Sequence, residues 1–213
     1  VSRRSEYWRK SNLDIISDFV DDTSQIDLNS INGTCLYEPN LTVHGDILEL
    51  ADEKSYEGLS ILDVIADEDS FAKGYFGRLE KKSQRLVPRP LARENTLSPK
   101  VGYVFNFSDN LKKPLVIHNK TSPSASSCFQ RNLIVLKENV EATIIETGNN
   151  LSVFNNVTEI YLGKNAKLNY LDLTGEDNLF PKISHKFCDM AEYSSFNHFG
   201  LRLNTKATRT EIE

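Results

Sequence analysis

Residues 132–146, NLIVLKENVEATIIE, align with residues 158–172, TEIYLGKNAKLNYLD, at a spacing of 26. The matched pairs are Ile134 with Ile160, Leu136 with Leu162, Ala142 with Leu168, Ile144 with Tyr170 and Asn139 with Asn165. Each copy has two segments of alternating apolar and polar residues, separated by a four-residue polar turn. This alternation predicts two β-strands per copy, each with one buried face.

A repeat in the twenties that contains only short strands and Asn-bearing turns is typical of a β-solenoid. In such a fold, each coil stacks its strands on the coil below, and the inward side chains build a continuous core. Weaker copies of the repeat lie near Phe105, with Asn110 in the turn, and near Ile183. The pattern therefore predicts stacked parallel coils from about residue 101 onward.

The repeat also predicts which side chains face the interior. These are Ile134, Leu136, Ile160, Leu162 and Leu168. An antiparallel sandwich of hairpins is the structural alternative, because a strand, a short turn and a second strand also describe a hairpin. The matching inward pattern across copies favours the solenoid.

The first 50 residues have a different character. Apolar residues between Trp8 and Val20 predict a short amphipathic helix, and Asn32-Gly33 predicts a tight turn. Two short apolar segments flank His44-Gly45-Asp46, which is typical of a hairpin.

A helical segment is predicted after residue 60. Ser60 is a candidate N-cap, and Asp63 is the acidic residue of the first turn. Phe71, Tyr75 and Leu79 follow at a spacing of four residues, which predicts one apolar helical face.

Residues 81–100 predict a boundary between two regions. Pro88, Pro90 and Pro99 forbid a continuous helix or a central strand. The segment also carries six basic residues, which are Lys81, Lys82, Arg85, Arg89, Arg93 and Lys100. We interpret it as a solvated linker, because no aromatic residue is interleaved for base stacking. The chain then divides into a helical or α+β region with its linker, residues 1–95, and a β-helix core, residues 96–213.

Composition excludes several classes of protein. The chain has 213 residues, of which 39% are hydrophobic and 26% are charged, as in globular domains. A net charge of -5 argues against nucleic acid as a partner. No window approaches the roughly 18 uncharged apolar residues of a spanning helix, and the opening residues lead into no signal-peptide core. We therefore expect no membrane partner and a cytoplasmic location, or a plastid location if the source is eukaryotic.

Three cysteines, Cys35, Cys128 and Cys188, are widely spaced and form no C-x-x-C pair. They predict neither a disulfide framework nor a closed zinc site, and a reducing compartment fits them best. His185, Cys188 and His198 offer soft metal ligands within fourteen residues. A metal site would require all three on one side of the β structure, so we expect Cys188 to be a core residue and predict no metal site.

The remaining polar candidates do not form a catalytic set. Asp67, Glu68 and Asp69 form an acidic cluster between helical stretches, for which a solvated cap is the expected role. His44 and His118 adjoin turns or strand ends and have no evident partner in the sequence. The glycines form no phosphate-binding loop, so any ATP hydrolysis is expected to belong to a partner. We therefore predict no catalytic, cofactor-binding or metal-binding residue and no enzymatic activity.

Three segments closely resemble the core of the SufB/SufD family, the scaffold subunits of the SUF iron–sulfur cluster assembly machine. They are residues 131–136 (RNLIVL), 138–143 (ENVEAT) and 157–166 (VTEIYLGKNA). Residues 6–13 (EYWRKSNL) are similar to the Trp-bearing opening of SufD proteins, and residues 58–61 (GLSI) lie where SufD proteins have a helix entry. The SufD branch is therefore the closer match. The family pattern before the first core strand is present only as residues 94–96 (ENT) and Val101-Gly102.

The resemblance implies a mainly β fold, a right-handed parallel β-helix preceded by a small N-terminal helical or α+β region. It implies a SufB-type subunit and a SufC-type ATPase as partners, with a homodimer through the β-helix edge as a further assembly. It also implies that this chain holds no cofactor, and that the complex assembles the iron–sulfur cluster. The sequence given ends at residues 210–213 within a predicted strand, so we expect further coils and helices that dock the ATPase, and we expect residues 1–213 alone not to recruit it.

Two functions are therefore compared. The first is a non-catalytic scaffold subunit of SUF cluster assembly, which the resemblance supports. The alternative is a secreted-type β-helix enzyme acting on polysaccharide, which requires clustered acidic or basic groups on one outer face and, as a rule, an export signal. The sequence shows neither feature and favours the scaffold.

Overall fold

A computed structural model of the chain describes residues 41–44, 47–50, 57–120, 127–149, 152–174, 180–202 and 207–213. The helix predicted within the first 20 residues, the turn at Asn32-Gly33 and the segment 6–13 lie outside the described residues.

The described strands form two six-stranded sheets, here called sheet A and sheet B. In chain order the strands are β1 (Leu41–His44), β2 (Ile47–Leu50), β3 (Glu57–Ser60), β4 (Tyr103–Phe107), β5 (Leu115–Lys120), β6 (Ser127–Leu136), β7 (Glu141–Asn149), β8 (Val153–Leu162), β9 (Lys167–Thr174), β10 (Lys182–Met190), β11 (Ser195–Arg202) and β12 (Thr208–Ile212). Sheet A has the order β2-β1-β5-β7-β9-β11, and sheet B has the order β3-β4-β6-β8-β10-β12. From β4 onward, consecutive strands alternate between the sheets, as the coils of a solenoid require.

The coils are parallel, with the register that the repeat predicts. Ile134 pairs with Ile160 between β6 and β8, and Ala142 pairs with Leu168 between β7 and β9. Both pairs are 26 residues apart, as in the alignment of the two copies. The strands form a mainly β solenoid of about three turns, so the predicted fold class is confirmed and the hairpin sandwich is wrong.

The predicted interior is confirmed. Ile134, Leu136, Ile160, Leu162 and Leu168 all belong to the apolar cluster between the two sheets, and none is more than 3% exposed. Inward side chains of successive coils lie directly over one another because neighbouring strands are in register. The core is therefore a set of side-chain columns that run through the coils.

Antiparallel strands occupy the first edge of each sheet. In sheet A, β1 and β2 form an antiparallel pair, and Leu41 pairs with Leu50. This pairing confirms the predicted hairpin, although its turn residues 45–46 lie outside the described residues. In sheet B, β3 pairs with β4 in antiparallel register, so both sheets begin with a non-parallel strand.

Three short α-helices follow β3: α1 (Ile61–Ala66), α2 (Arg78–Gln84) and α3 (Pro90–Leu97), with a 3-10 helix at Phe71–Gly74. The Ser60 side chain accepts a hydrogen bond from the Leu62 amide at the start of α1, as predicted. The single helical face through Phe71, Tyr75 and Leu79 is wrong. Gly77 adopts a left-handed conformation at φ 71 before α2, and this conformation interrupts the helix.

The helices cover the outer face of sheet B. Leu79 and Ala92 are buried there with Leu133 and Val157 of the sheet. Residues 81–100 are therefore not the solvated linker that we inferred, although the prolines do prevent a continuous helix. Arg89 is only 5% exposed, and its guanidinium forms ion pairs with Glu211 of β12 and with Glu213, which follows that strand.

Candidate functional site

The space between the two sheets, here called the lumen, changes from apolar to polar along the strands. On β8, Leu162 and Ile160 face the lumen near the turn, and Thr158 and Asn156 follow away from it. All four are buried. Because adjacent coils are in register, polar side chains stack on polar ones, and one half of the lumen is hydrophilic.

Side-chain amides line this hydrophilic half. Asn132 donates to Asn156 Oδ1 at 2.8 Å and to Thr158 Oγ1 at 3.2 Å. Asn156 in turn donates to Glu146 Oε1 at 2.8 Å, and Asn119 donates to the same oxygen at 2.8 Å. The amides therefore form a continuous chain of donors that ends on a buried carboxylate.

Five charged side chains, here called the lumen cluster, surround that carboxylate: Glu146, Asp172, Lys182, Lys186 and Arg202. The Lys182 ammonium lies 3.1 Å from Asp172 and 3.5 Å from Glu146. The Lys186 ammonium lies 3.5 Å from Asp172 and 3.8 Å from Glu146. Arg202 Nη2 lies 2.8 Å from Asp172 Oδ2. Three cations thus meet two carboxylates, and every member except Arg202 is at most 5% exposed.

The charges of the lumen cluster and its burial determine the protonation states of the side chains in and around it. Burial alone would raise the pKa of Asp172, but the charges of Lys182, Lys186 and Arg202 lower it well below its usual range. Burial alone would lower the pKa of Lys182, but Asp172 and Glu146 raise it. Burial and the Glu146 charge raise the pKa of Tyr170, which donates a hydrogen bond to Glu146. Asp172 is therefore ionised, Lys182 is charged and Tyr170 is neutral near neutral pH.

The structure does not bring His185, Cys188 and His198 together. His185 lies on the outer face of β10, 3.7 Å from Glu211, and burial lowers its pKa to about 4. Cys188 packs against the apolar core, and burial raises the pKa of its thiol to about 12. His198 stacks on Tyr170 at the other side of the lumen. Within the described ranges, no group of three His, Cys, Asp or Glu side chains is placed to hold a metal ion.

The other polar candidates are also separate. Asp67, Glu68 and Asp69 are exposed, and Asp67 Oδ1 accepts a hydrogen bond from the Asp69 amide at 2.9 Å. His118 is buried and lies 2.9 Å from Thr147 Oγ1. His44 belongs to β1, and its side chain is outside the described residues.

Sequence reasoning missed the lumen cluster. The alignment of the two copies did indicate two of its members. Glu146 and Asp172 lie two residues after the inward-facing Ile144 and Tyr170, so the alternation places both carboxylates on the inward face. Lys182 and Arg202 had no such signal. Their role depends on the coil of β10 and β11 lying over the coil of β8 and β9.

A second buried ion pair joins sheet B to the helices. Arg131 and Glu159 are 2.8 Å apart, and both side chains are fully buried. Glu159 also accepts hydrogen bonds from the backbone amides of Gly77, Leu79 and Glu80. This carboxylate therefore supplies the cap that the start of α2 lacks in its own sequence.

The fold and site define a class: a parallel β-solenoid with a charged lumen and a helical layer on one sheet. Residues 117–213 match the family model described as SUF system FeS cluster assembly, SufBD core domain. The match supports a relationship of this chain to the SufB/SufD family and a role in SUF iron–sulfur cluster assembly. No curated protein matches the chain.

Neither the structure nor the family match supports the polysaccharide enzyme. Glu146 and Asp172 are enclosed between the sheets and paired with cations, so they are not arranged to act on a sugar. Among the described residues, no helix is long and apolar enough to cross a lipid bilayer.

Proposed function

We propose that this chain is a SufD-type, non-catalytic scaffold subunit that works with a SufB-type subunit and a SufC-type ATPase in the cytoplasm, or in a plastid of a eukaryotic source. The match of the SufBD core domain to residues 117–213 carries the proposal. That segment begins in β5 and includes all of the longer parallel coils. The iron–sulfur cluster is the cargo of the complex, and this chain holds no cofactor of its own.

The protonation of the soft side chains supports a non-catalytic role. Because burial raises the pKa of Cys188 to about 12, its thiol is protonated at neutral pH and is a poor nucleophile. Because burial lowers the pKa of His185 to about 4, this imidazole is a weak base. The SufC-type partner supplies ATP hydrolysis, since the chain contains no phosphate-binding loop.

Strand β12 is the last strand of sheet B that the structure describes. The Lys182 amide donates to the Ala207 carbonyl, and the Glu213 amide donates to the Lys186 carbonyl. Ala207, Arg209, Glu211 and Glu213 therefore point their backbone groups at β10. The amides of Thr208, Thr210 and Ile212 point away from it, and we propose that the strand that pairs with them belongs to the SufB-type subunit.

Co-expression with the SufB-type subunit and SufC-type ATPase of the same organism tests the proposal. We expect a stable complex with the SufB-type subunit in size-exclusion chromatography with light scattering. Thr210→Pro should weaken that complex, because proline removes an outward amide and leaves the ladder to β10 intact. Thr210→Val keeps both the amide and the branched side chain, so this control should bind like the wild type.

Separate elution of the wild-type chain in the presence of both partners would contradict the proposed function. Equal binding by Thr210→Pro and the wild type would leave the scaffold role in place and exclude β12 as the docking edge. Circular dichroism of both variants must match that of the wild type, so that a loss of binding is not a loss of the coils.

A further inference from the structure

The outer face of sheet A carries a row of apolar side chains, here called the sheet A column: Val116, Ile145, Leu171 and Phe199. They are in register across four strands, since Val116 pairs with Ile145, Ile145 with Leu171 and Leu171 with Phe199. They point away from the lumen, because the residue that precedes each of them faces it. A continuous apolar strip therefore crosses sheet A on the side opposite the lumen.

The column is covered at one end and exposed at the other. Val116 and Ile145 are only 5% and 8% exposed, Leu171 is half-buried, and Phe199 is 58% exposed. Outward side chains of a sheet become this inaccessible when another part of the chain packs on them. Val116 and Ile145 belong neither to the lumen core nor to the apolar cluster under the helices of sheet B. An apolar cover for β5 and β7 is therefore not found among the described residues.

Residues 8–20 (WRKSNLDIISDFV) carry the apolar side chains that such a cover needs. Six of these thirteen residues are large and apolar, namely Trp8, Leu13, Ile15, Ile16, Phe19 and Val20. On a helix with about 3.6 residues per turn, these six fall on one side, and Lys10, Asp14 and Asp18 fall on the other. By contrast, residues 121–126 (TSPSAS), which follow β5, include no large apolar side chain. The first segment therefore has one face that is suited to an apolar sheet.

The chain enters sheet A on the side where the column is covered. Strand β1 begins at Leu41 and pairs with β5, which carries Val116. The residues between Val20 and Leu41 span up to about 65 Å when extended, so residues 8–20 can reach this face. A helix is about 10 Å in diameter and neighbouring strands are about 4.8 Å apart, so one helix that lies along the strands covers two of them. Two is also the number of strands whose outward apolar residues are buried.

We propose that residues 8–20 form an amphipathic helix that packs along β5 and β7 on the outer face of sheet A, with its apolar side on Val116 and Ile145. Because these two side chains are buried in a single chain, the cover belongs to the chain itself and not to a second copy. Removal of six large apolar side chains from water drives the contact. Each sheet then has its own helical layer, and the inference does not depend on the proposed function.

The test compares Ile145→Asp with Thr143→Asp. Both changes place a carboxylate on the outer face of β7, but Thr143 lies in a polar row, where it accepts a hydrogen bond from Asn169. Trp8 is the only tryptophan of the chain, so its fluorescence reports on the segment alone. We expect Ile145→Asp to shift the Trp8 emission to longer wavelength and to speed up tryptic cleavage after Arg9 and Lys10, with the circular dichroism of the coils unchanged. Thr143→Asp should do neither.

The wild-type chain provides a first check. Its Trp8 emission should lie at shorter wavelength in buffer than in urea, because the indole leaves water when the helix docks. Equal emission in buffer and in urea would overturn the inference. An unchanged emission in Ile145→Asp would overturn it as well, and so would equal shifts in Ile145→Asp and Thr143→Asp.

If Ile145→Asp does not fold, photo-crosslinking answers the same question. The photoreactive residue p-benzoylphenylalanine replaces Leu171, which is half-buried beside Ile145, and it introduces no charge. After irradiation we expect a cross-linked peptide that contains residues 8–20 of the same chain. A cross-link to another segment, or between two copies, would assign the cover to that segment or copy and overturn the inference. Neither measurement involves a SufB-type subunit, so a failure here leaves the proposed function as it stands.

Discussion

At the scale of single residues, Asp172 is the centre of the lumen cluster. It is the one described carboxylate that contacts Lys182, Lys186 and Arg202, at 3.1, 3.5 and 2.8 Å. Removing one member of a buried ion cluster leaves its partners uncompensated in a medium of low polarity. The cluster therefore makes the stability of the coils depend on a single ionised side chain.

We predict that Asp172→Asn lowers the free energy of unfolding by about 3–5 kcal/mol at pH 7, because the buried Lys182 and Lys186 then face Glu146 alone and Arg202 loses its carboxylate. The folded state lowers the pKa of Asp172, so its contribution is fully present above the unfolded pKa of about 3.9. That contribution is lost as pH falls through the lower folded pKa. Urea denaturation at pH values from 7 to 2 should show that the free energy of unfolding of the wild type falls with pH, and that it falls less in the variant.

Glu192→Gln is the matched control for this prediction. Its carboxylate lies 2.8 Å from Lys164, but both side chains are about half exposed. Because solvent screens such a pair, the change should lower the free energy of unfolding by less than about 0.5 kcal/mol. The loss of stability between pH 7 and pH 2 should be the same as in the wild type. Equal costs for Asp172→Asn and Glu192→Gln would show that the lumen ions contribute no more than surface ions.

At the scale of elements, the four-residue turns at 137–140, 163–166 and 191–194 stack on one another. Their third residues, Asn139, Asn165 and Tyr193, all have positive φ, at 62°, 57° and 59°. Asn165 donates to Asn139 Oδ1 at 2.9 Å, so the amides form a ladder that Tyr193 does not continue. Asn adopts this left-handed conformation more readily than an aromatic residue.

We predict that Tyr193→Asn raises the free energy of unfolding by about 0.5–1 kcal/mol, because Asn adopts the positive φ of this position at a lower conformational cost than Tyr. The lost ring is 76% exposed, and its contact with Lys164, at 5.9 Å from the ring centre, is a weak one. Chemical denaturation of the purified chain measures the change.

Tyr193→Phe keeps the ring and the conformation, so it should leave the stability as it is. The reverse change, Asn165→Tyr, should destabilise the chain, because it places the aromatic residue in the middle of the ladder. A loss of stability in Tyr193→Asn would contradict the argument from φ.

At the scale of the whole molecule, Arg89 connects the helical layer to β12, the last strand that the structure describes. Its guanidinium lies 3.1 Å from Glu211 and 2.7 Å from Glu213, and it also donates to Ser83 Oγ at 2.9 Å. Gln84 holds the Arg89 backbone through hydrogen bonds to both its amide and its carbonyl. The layer thus acts on β12, which among the described strands is paired with β10 alone.

We predict that Arg89→Gln lowers the free energy of unfolding by about 2–4 kcal/mol, because it leaves Glu211 and Glu213 without their buried partner. The loss should be local. Hydrogen exchange should speed up at the Glu213 amide, which bonds to Lys186, and not at the Gly163 amide, which bonds to Leu136 inside the coils.

Arg85→Gln is the control, because Arg85 belongs to the same basic segment and is exposed. It should change neither the exchange of Glu213 nor the free energy of unfolding by more than about 0.5 kcal/mol. Uniformly faster exchange through all described coils in Arg89→Gln would mean that Arg89 stabilises the whole solenoid rather than β12 alone.

Sequence alone determined the parallel coils, their register and their apolar interior. The 26-residue alignment places Ile134 on Ile160, and the structure pairs the same residues. This agreement follows from the physics of strands: side chains alternate with a period of two, so one apolar pattern specifies both the buried face and the register. The Ser60 cap depends only on residues next to it in the chain, so the sequence predicted it as well.

Tertiary structure alone decided the charged features. The sequence places Arg89 in a solvated linker, because no aromatic residue is interleaved among the basic ones, yet its partners Glu211 and Glu213 lie more than 120 residues away in the chain. Lys182 and Arg202 enter the lumen cluster only because the coils that carry them stack over Asp172. The physical reason is that alternation in a strand specifies which face is buried, whereas the partner of a buried charge depends on which distant segment packs against that face.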